Sequence, residues 1–275
     1  MARTAPMFNP IAFSIGPIDI RWYALAYMFG FLIAYFLFVP FAQKQLLGKD
    51  YNKEQLKTML DDLLLYTVLG VVLGGRLGYV LFYVFFYDPA ILIADPLMAL
   101  RIWDGGMSFH GGLFGVLFAC ALYCIIHRKP YLKLMDILAL LAPIGLFLGR
   151  IANFVNGELW GRPTDVPWAM IFSHANDGIA RHPSQLYEAA LEGILLFVIL
   201  FICSHFQWFK EKAGRLSALF LLGYGLARFI VEFFREPNEG LGNIIFGLTM
   251  GQTLTLSMFI IAFILIIQSF KKEQI

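Results

Sequence analysis

Long apolar stretches alternate with short polar connections along the whole chain. Seven stretches approach the ~20 residues that an α-helix needs to cross hydrocarbon, beginning near Trp22, Leu63, Met107, Leu134, Leu186, Leu216 and Ile244. Trp22 to Val39 and Ile244 to Phe270 carry no charge. Met1 to Pro10 has one arginine, two prolines and no apolar core, so no cleavable leader is expected and the first span itself directs insertion. Two connections are longer. Phe85 to Gly106 strings the turn signals Asp88-Pro89, Asp95-Pro96 and Asp104-Gly105-Gly106 around apolar Ile91-Leu92-Ile93, and is expected to lie along the membrane interface. Gly157 to Pro183, rich in Gly, Pro and Asp, reads as a small extramembrane cap. With no low-complexity run and no separate soluble region, residues 1–275 read as one all-α, polytopic transmembrane domain with outer segments at about 85–106 and 157–183.

Composition agrees: 59% of residues are hydrophobic and 15% charged, more apolar surface than a water-soluble fold could hide. The net charge of +2 says little, whereas its distribution is informative. Lys44, Lys49, Lys53, Lys57, Arg128, Lys129, Lys133, Lys210, Lys212, Arg215, Lys271 and Lys272 fall in one set of alternate loops. Arg3, Arg21, Arg101, Arg162, Arg181 and Arg235 fall in the other. Twelve against six predicts an N-terminus outside and a C-terminus in the cytoplasm. Cys120, Cys124 and Cys203 all fall within predicted spans and read as inert thiols, with no disulfide framework. Glycines recur every four residues at Gly70, Gly74 and Gly78, at Gly111 and Gly115, and at Gly145 and Gly149. Such ridges let helices approach closely in lipid, or open a lipid-sized groove.

Against this background Arg76, Arg150 and Arg228 stand inside spans. At about 2.5 to 3.5 kcal/mol each, they cost roughly 7.5 to 10 kcal/mol together unless something anionic meets them. The expected orientation brings all three into the outer half of the membrane, with Trp22, Tyr23 and His110 near the outer ends of their own spans. Protein acids are one possible partner. Asp136 lies too deep, Glu232 follows Arg228 on the same helix face, Glu192 enters from the outer end of the fifth span, and Glu188 lies nearer the surface. The other possibility is a phospholipid headgroup, whose phosphate oxygens suit the planar guanidinium fork.

The run Gly149-Arg150-Ile151-Ala152-Asn153-Phe154-Val155-Asn156-Gly157-Glu158-Leu159-Trp160-Gly161 closely resembles the signature of the bacterial prolipoprotein diacylglyceryl transferases. So do Trp22-Tyr23, Gly74-Gly75-Arg76, Asp104 to Gly112, His182 to Glu188, Tyr224-Gly225 and Arg228 to Arg235, in consistent order from the first span to the seventh. Ala152 stands where many members have glycine, and Arg21 where some have histidine. The segment from Arg162 to Arg181 looks shorter than in some relatives. The resemblance implies seven transmembrane helices in the bacterial inner membrane, and an active site toward the outer leaflet. It implies an enzyme that moves the diacylglyceryl group of phosphatidylglycerol onto the lipobox cysteine of a prolipoprotein signal peptide, releasing glycerol phosphate. Positions matching the family's essential residues are Tyr23, His110, Arg150, Asn153, Glu158, Gly161, Tyr224, Arg228 and Glu232.

The chemistry gives these residues tasks. A thiol must lose its proton to attack carbon, and a departing phosphate needs hydrogen-bond donors where it leaves. Arg150 and Arg228 are candidates for the phosphate, with Arg76 a weaker third. His110 is a candidate base, since neighbouring guanidinium groups disfavour its charged form; it could instead orient the headgroup. Asn153 and Tyr224 read as headgroup donors, Glu232 as the group that fixes Arg228, and Glu158 as a local cap or ligand; Tyr23 joins the catalytic set through the resemblance. No metal-ligand cluster and no phosphate-cradling glycine loop is present in the sequence, so no metal, nucleotide or other cofactor, and no nucleic-acid partner, is expected. The rival reading is a lipid or anion transporter that uses the same intramembrane arginines.

Overall fold

The structure is a computed structural model and describes residues 3–6, 9, 11–16, 18–43, 51–86, 88–236, 243–245 and 248–270. Of the basic residues that bear on orientation, Lys44, Lys49, Lys271 and Lys272 lie outside the described residues, as does much of Met1 to Pro10. In chain order the elements are β1 (Arg3–Thr4), β2 (Ile11–Ile15), β3 (Ile18–Arg21), α1 (Trp22–Phe41) and α2 (Lys53–Tyr79), which continues as a π-helical stretch (Val80–Phe85). Next come α3 (Pro89–Ala94), 3₁₀ turns at Pro96–Leu100 and Ile102–Asp104, α4 (Phe109–Ile126), α5 (Tyr131–Val155), β4 (Met170–Ile171) and β5 (Ala180–Arg181). Then α6 (Ser184–Glu188) runs through a π-helical stretch (Ala189–Leu195) into α7 (Leu196–Cys203), followed by α8 (Gln207–Glu211), α9 (Arg215–Val231), β6 (Asn243–Ile245), β7 (Leu248–Thr249) and α10 (Met250–Phe270).

The protein is mostly helical, and six helices are long and apolar enough to cross a membrane: Trp22–Phe41, Lys53–Phe85, Phe109–Ile126, Tyr131–Val155, Ser184–Cys203 and Gly251–Phe270. The remaining sequence-predicted span is α9, with 17 residues. At 1.5 Å per residue a helix of that length covers about 26 Å, somewhat less than the ~30 Å of hydrocarbon. Large apolar side chains stay exposed along the spans, including Phe36, Leu73, Phe118 and Phe263. In water such surface would be untenable, but in hydrocarbon it is the expected outer face. The short strands are not evident in the apolar pattern, because pieces of two to five residues show no useful alternation.

Two compact units emerge, one spanning Lys49–Leu134 and the other Met1–Gly48 with Met135–Ile275. In the 49–134 unit, Asn52 opens α2 with a capping box, its side chain accepting from the Gln55 backbone while Gln55 reaches back. The glycine ridges of α2 and α4 then face each other. A Cβ on Gly74 would lie 2.4 Å from the Gly111 carbonyl oxygen, and one on Gly115 would lie 2.0 Å from that of Gly70. Only hydrogen fits at these crossings. Cys120 and Cys124 are buried free thiols on α4.

In the other unit, β2 and β3 form a hairpin ahead of α1, and β6 and β7 one ahead of α10. Strand β1 pairs in parallel with β4, which pairs antiparallel with β5 within the 157–183 segment. A Cβ on Gly193 would strike Phe147 of α5 at 2.6 Å, so α5 packs closely against the π-helical stretch. Gly145 and Gly149, by contrast, would meet nothing within 4 Å. The start of α9 shows why Asp136 is where it is. Gly214 adopts φ +91°, a left-handed conformation that suits glycine, and so offers no side-chain cap. Asp136, fully buried on α5, supplies it: one carboxylate oxygen accepts from the Gly214 N–H at 2.7 Å, and the other from the Ser217 N–H and hydroxyl, both at 2.7 Å.

Gly115→Ala is expected to force α2 and α4 apart and destabilise the fold by about 1 to 3 kcal/mol, the usual range for overpacking. Gly145→Ala, into open space, should change stability by less than about 0.5 kcal/mol. Thermal unfolding of the two variants in detergent tests the contrast, and equal effects would refute it.

Candidate active site

Six charged side chains of one unit form a single cluster. Glu188, the last residue of α6, is fully buried and reaches three guanidinium groups: Arg235 Nη1 at 2.8 Å, Arg228 Nη1 at 3.1 Å and Arg150 Nη1 at 3.3 Å. Glu192, equally buried and four residues further on, accepts from Arg150 through Nε at 3.3 Å and Nη2 at 3.2 Å. The π-helical stretch begins between these two acids, and both hold one arginine from α5. Glu232, at the end of α9, takes Arg228 Nη2 at 2.6 Å and Arg235 Nε at 3.7 Å, and accepts from the Thr249 hydroxyl at 2.9 Å. Three cations thus meet three carboxylates. Their exposure is unequal: Glu188 and Glu192 side chains are 0% accessible, whereas Arg150 and Arg228 retain 17% and 16%. In each of these pairs the arginine is the more exposed partner. Tyr224, one turn before Arg228 on α9, stacks on Phe220 with ring centres 5.8 Å apart.

A second polar chain starts one turn along α5. The Asn153 amide donates to the Tyr23 hydroxyl of α1 and to Glu158 Oε1 at 3.3 Å, and Asn156 donates to the same oxygen at 3.3 Å. Arg150 and Asn153 share a helix face, as their spacing predicts, so α5 joins the two networks. The segment after α5 is anchored by its backbone: Gln185 donates to the Glu158 carbonyl at 2.6 Å and Ser184 to that of Leu159 at 3.0 Å.

Gly161 touches the cluster through packing. Its N–H donates to the His182 carbonyl and the Arg162 N–H to that of Phe234, at 2.9 and 2.8 Å. A Cβ on Gly161 would lie 2.4 Å from the Phe234 carbonyl oxygen and 2.7 Å from His182 Cβ. The absent side chain lets this strand approach the backbone that carries Arg235. Outside the spans, Arg181 bridges Asp177 at 2.6 Å and Glu236 at 2.6 Å, and its hydrogen bond holds the Asp177 carboxyl below the ordinary carboxylate range.

Arg76 and His110 belong to the 49–134 unit. Arg76 is buried, and its partners are main-chain carbonyls rather than carboxylates: Nε donates to Ala99, Nη1 to Gly105 and Gly106, and Nη2 to Met98. His110 is exposed in the first turn of α4, after Ser108, which caps that helix by accepting from Gly111.

In the sequence reading Arg235 falls in a loop rather than in a span, yet it completes the cluster. Arg228, Glu232 and Arg235 lie at i, i+4 and i+7, one face of a continued helix, and that spacing is the available signal. Glu188 and Glu192 pair with Arg150 across about 40 residues of sequence, and no local signal links them. Among the described residues, no group of three or more His, Cys, Asp and Glu has the arrangement of a metal site.

Known proteins are similar to this chain over nearly its whole length. A family model described as prolipoprotein diacylglyceryl transferase matches residues 10–268. A phosphatidylglycerol–prolipoprotein diacylglyceryl transferase of Zymomonas mobilis is 50% identical over 279 aligned residues, covering 96% of this chain and 92% of that protein. Proteins of the same name from Bordetella parapertussis and Legionella pneumophila are each 48% identical, over 92% and 94% of this chain and 92% and 96% of their own lengths.

The buried acid and the surface acid respond differently to perturbation. Glu188→Ala leaves three guanidinium groups short of a partner and is expected to destabilise the protein by about 3 to 5 kcal/mol, the usual effect of breaking a buried ion pair from one side; thermal unfolding in detergent measures it. For Asp177 the folded carboxyl is depressed, so its stabilising contribution is complete above the ordinary carboxylate pKa and fades as pH falls toward the lowered value. Protease nicking at 176–181 should therefore rise below about pH 4. Asp177→Asn should be nicked equally at all pH values, and a pH dependence that persists in it would reject this origin.

Proposed function

We propose a reaction on one premise: the chain belongs to the prolipoprotein diacylglyceryl transferase family. It transfers the diacylglyceryl group of phosphatidylglycerol to the thiol of the lipobox cysteine in a prolipoprotein signal peptide. The carbon–sulfur bond of a thioether forms as the bond between the glyceryl carbon and its phosphate oxygen breaks. Glycerol phosphate departs with the electron pair, and the thiol proton goes to a base. The observation that carries the site assignment is the Glu188 cluster, in which fully buried Glu188 pairs with Arg150 and Arg228, both partly exposed.

In this reading Arg150 and Arg228 receive the phosphate and stabilise the charge it gains on leaving. Glu188, Glu192 and Glu232 fix their forks in place, and Arg235 shares that frame. Tyr23, Asn153 and Glu158 form the polar wall beside Arg150, with Tyr224 as a further headgroup donor and Gly161 as the close-packing point of the wall's backbone. His110 is the proton acceptor. The chain is taken as one functional transmembrane domain of the bacterial inner membrane, with α9 as the seventh span, an N-terminus outside, a cytoplasmic C-terminus and a site that opens toward the outer leaflet. The loop asymmetry of twelve basic residues to six supports that orientation. The segments at about 85–106 and 157–183 then lie on the outer side. Surrounding membrane lipid supplies the donor, and no cofactor takes part.

The names of the relatives favour the transferase over a transporter. Purified protein, labelled phosphatidylglycerol and a lipobox peptide form the test. A peptide-linked diacylglyceryl thioether is the expected product, lowered about 10²- to 10³-fold by Arg150→Ala or Arg228→Ala, as for loss of a transition-state donor. Lipid movement across a bilayer without peptide modification would reverse the conclusion.

A further inference from the structure

Arg76 resolves the problem of a buried cation differently from the arginines of the glutamate cluster. Its guanidinium binds four carbonyls of the segment that joins α3 to α4, those of Met98, Ala99, Gly105 and Gly106. Of five N–H donors that leaves one, whereas a phosphate held in fork geometry needs two in parallel. The cation also sits 5.4 Å from the Tyr79 ring centre, one turn on along α2.

The turn it binds leads directly into α4. Gly105 and Gly106 have φ of +81° and +76°, which suits residues without a side chain. A Cβ on Gly106 would lie 2.5 Å from the Tyr79 ring, so the glycine lets the chain pass over that ring while Arg76 takes its carbonyl. Two residues later the Ser108 N–H donates to the Gly75 carbonyl at 2.9 Å, and the Ser108 hydroxyl caps α4 at Gly111. Gly78 completes the contact, with room for no more than hydrogen against Gly111 Cα at 2.7 Å. The last turns of α2 therefore grip the start of α4 on both sides of residue 107, and His110 lies in the first turn so gripped.

We propose that Arg76 is a positioning residue for His110, which locks the 98–106 turn onto α2 and thereby sets the direction and depth of the first turn of α4, rather than a ligand of the lipid phosphate. The catalytic part of this rests on the transferase reading and on His110 as proton acceptor. The latch itself rests on the geometry of the 49–134 unit alone.

The test uses the full-length enzyme in phosphatidylglycerol micelles, comparing wild type with Arg76→Lys and Gly106→Ala. A lysine cannot reach four carbonyls, and an alanine at 106 displaces the same turn while leaving Arg76 intact. Both variants are expected to lose about 10- to 100-fold in kcat, the scale of an ångström-sized misplacement, with KM for phosphatidylglycerol kept within about twofold. Amide hydrogen exchange should accelerate across residues 98–108 in both. A rise in KM in Arg76→Lys with kcat preserved would overturn the proposal in favour of a headgroup ligand, and so would unchanged exchange across 98–108. Should Arg76→Lys fail to fold, Gly106→Ala decides by the same two readouts. A wild-type enzyme without thioether-forming activity would remove the transferase reading, and the exchange measurement would still decide the latch.

Discussion

One buried carboxylate organises the arginine cluster. Glu188 has no solvent contact and touches Arg150, Arg228 and Arg235, which come from α5, from α9 and from the turn after it. A lone carboxylate in such a place would neutralise itself, because desolvation of a charge costs several kcal/mol. Three guanidinium neighbours reverse that balance, and Glu192 and Glu232 in turn satisfy the excess positive charge. No member of the set is tenable alone. The arrangement demands that α5, α6 and α9 reach one level, and several close approaches in the same unit serve that end. Gly193 lets α5 approach the π-helical stretch, Asp136 ties the start of α9 to α5, and Gly161 brings its own segment onto the backbone at Phe234–Arg235.

The 49–134 unit holds its buried arginine with dipoles instead of charges. Carbonyl oxygens stabilise a cation without adding a formal negative charge, and they tie a turn into one conformation as they do so. The two solutions leave different donors in hand. Arg150 and Arg228 side chains stay partly exposed, while Arg76 is buried and its donors are almost all engaged with main-chain carbonyls. The difference separates arginines suited to meeting a ligand from one suited to shaping a loop, although all three stand alike in the sequence.

That likeness marks the limit of what the chain discloses by itself. The spans are legible because a run of ~20 apolar residues matches the thickness of hydrocarbon and would be untenable in water. Arg150 with Asn153, and Arg228 with Glu232, are legible because three- and four-residue spacing places side chains on one helix face. Glu188 and Glu192 are legible only as nearby acids, since which arginine each meets depends on how helices pack across about 40 residues of sequence. Asp136 meets the start of α9 rather than an arginine, and sequence offers no way to see a cap supplied from 78 residues away. Arg76 reads in the sequence as a third phosphate candidate because intramembrane arginine suggests an anion. The alternative requires knowing that Gly105 and Gly106 turn their carbonyls toward it.

A cluster with as many carboxylates as guanidinium groups is poorly suited at first sight to binding an anion, yet that matching fits the proposed reaction. Phosphatidylglycerol carries one negative charge on its phosphodiester, and the departing glycerol phosphate carries more as the carbon–oxygen bond breaks. Three bare arginines would grip the diester in its ground state, which lowers KM without accelerating the chemistry. Arginines already balanced by glutamates hold the diester less tightly, while their fixed donors gain most where charge is newly formed. Because Glu188 and Glu192 are excluded from solvent and already paired with the guanidinium groups, those donors would need little reorganisation as charge develops. On the reading proposed above, the glutamates would fix the guanidinium groups for the phosphate rather than compete with it.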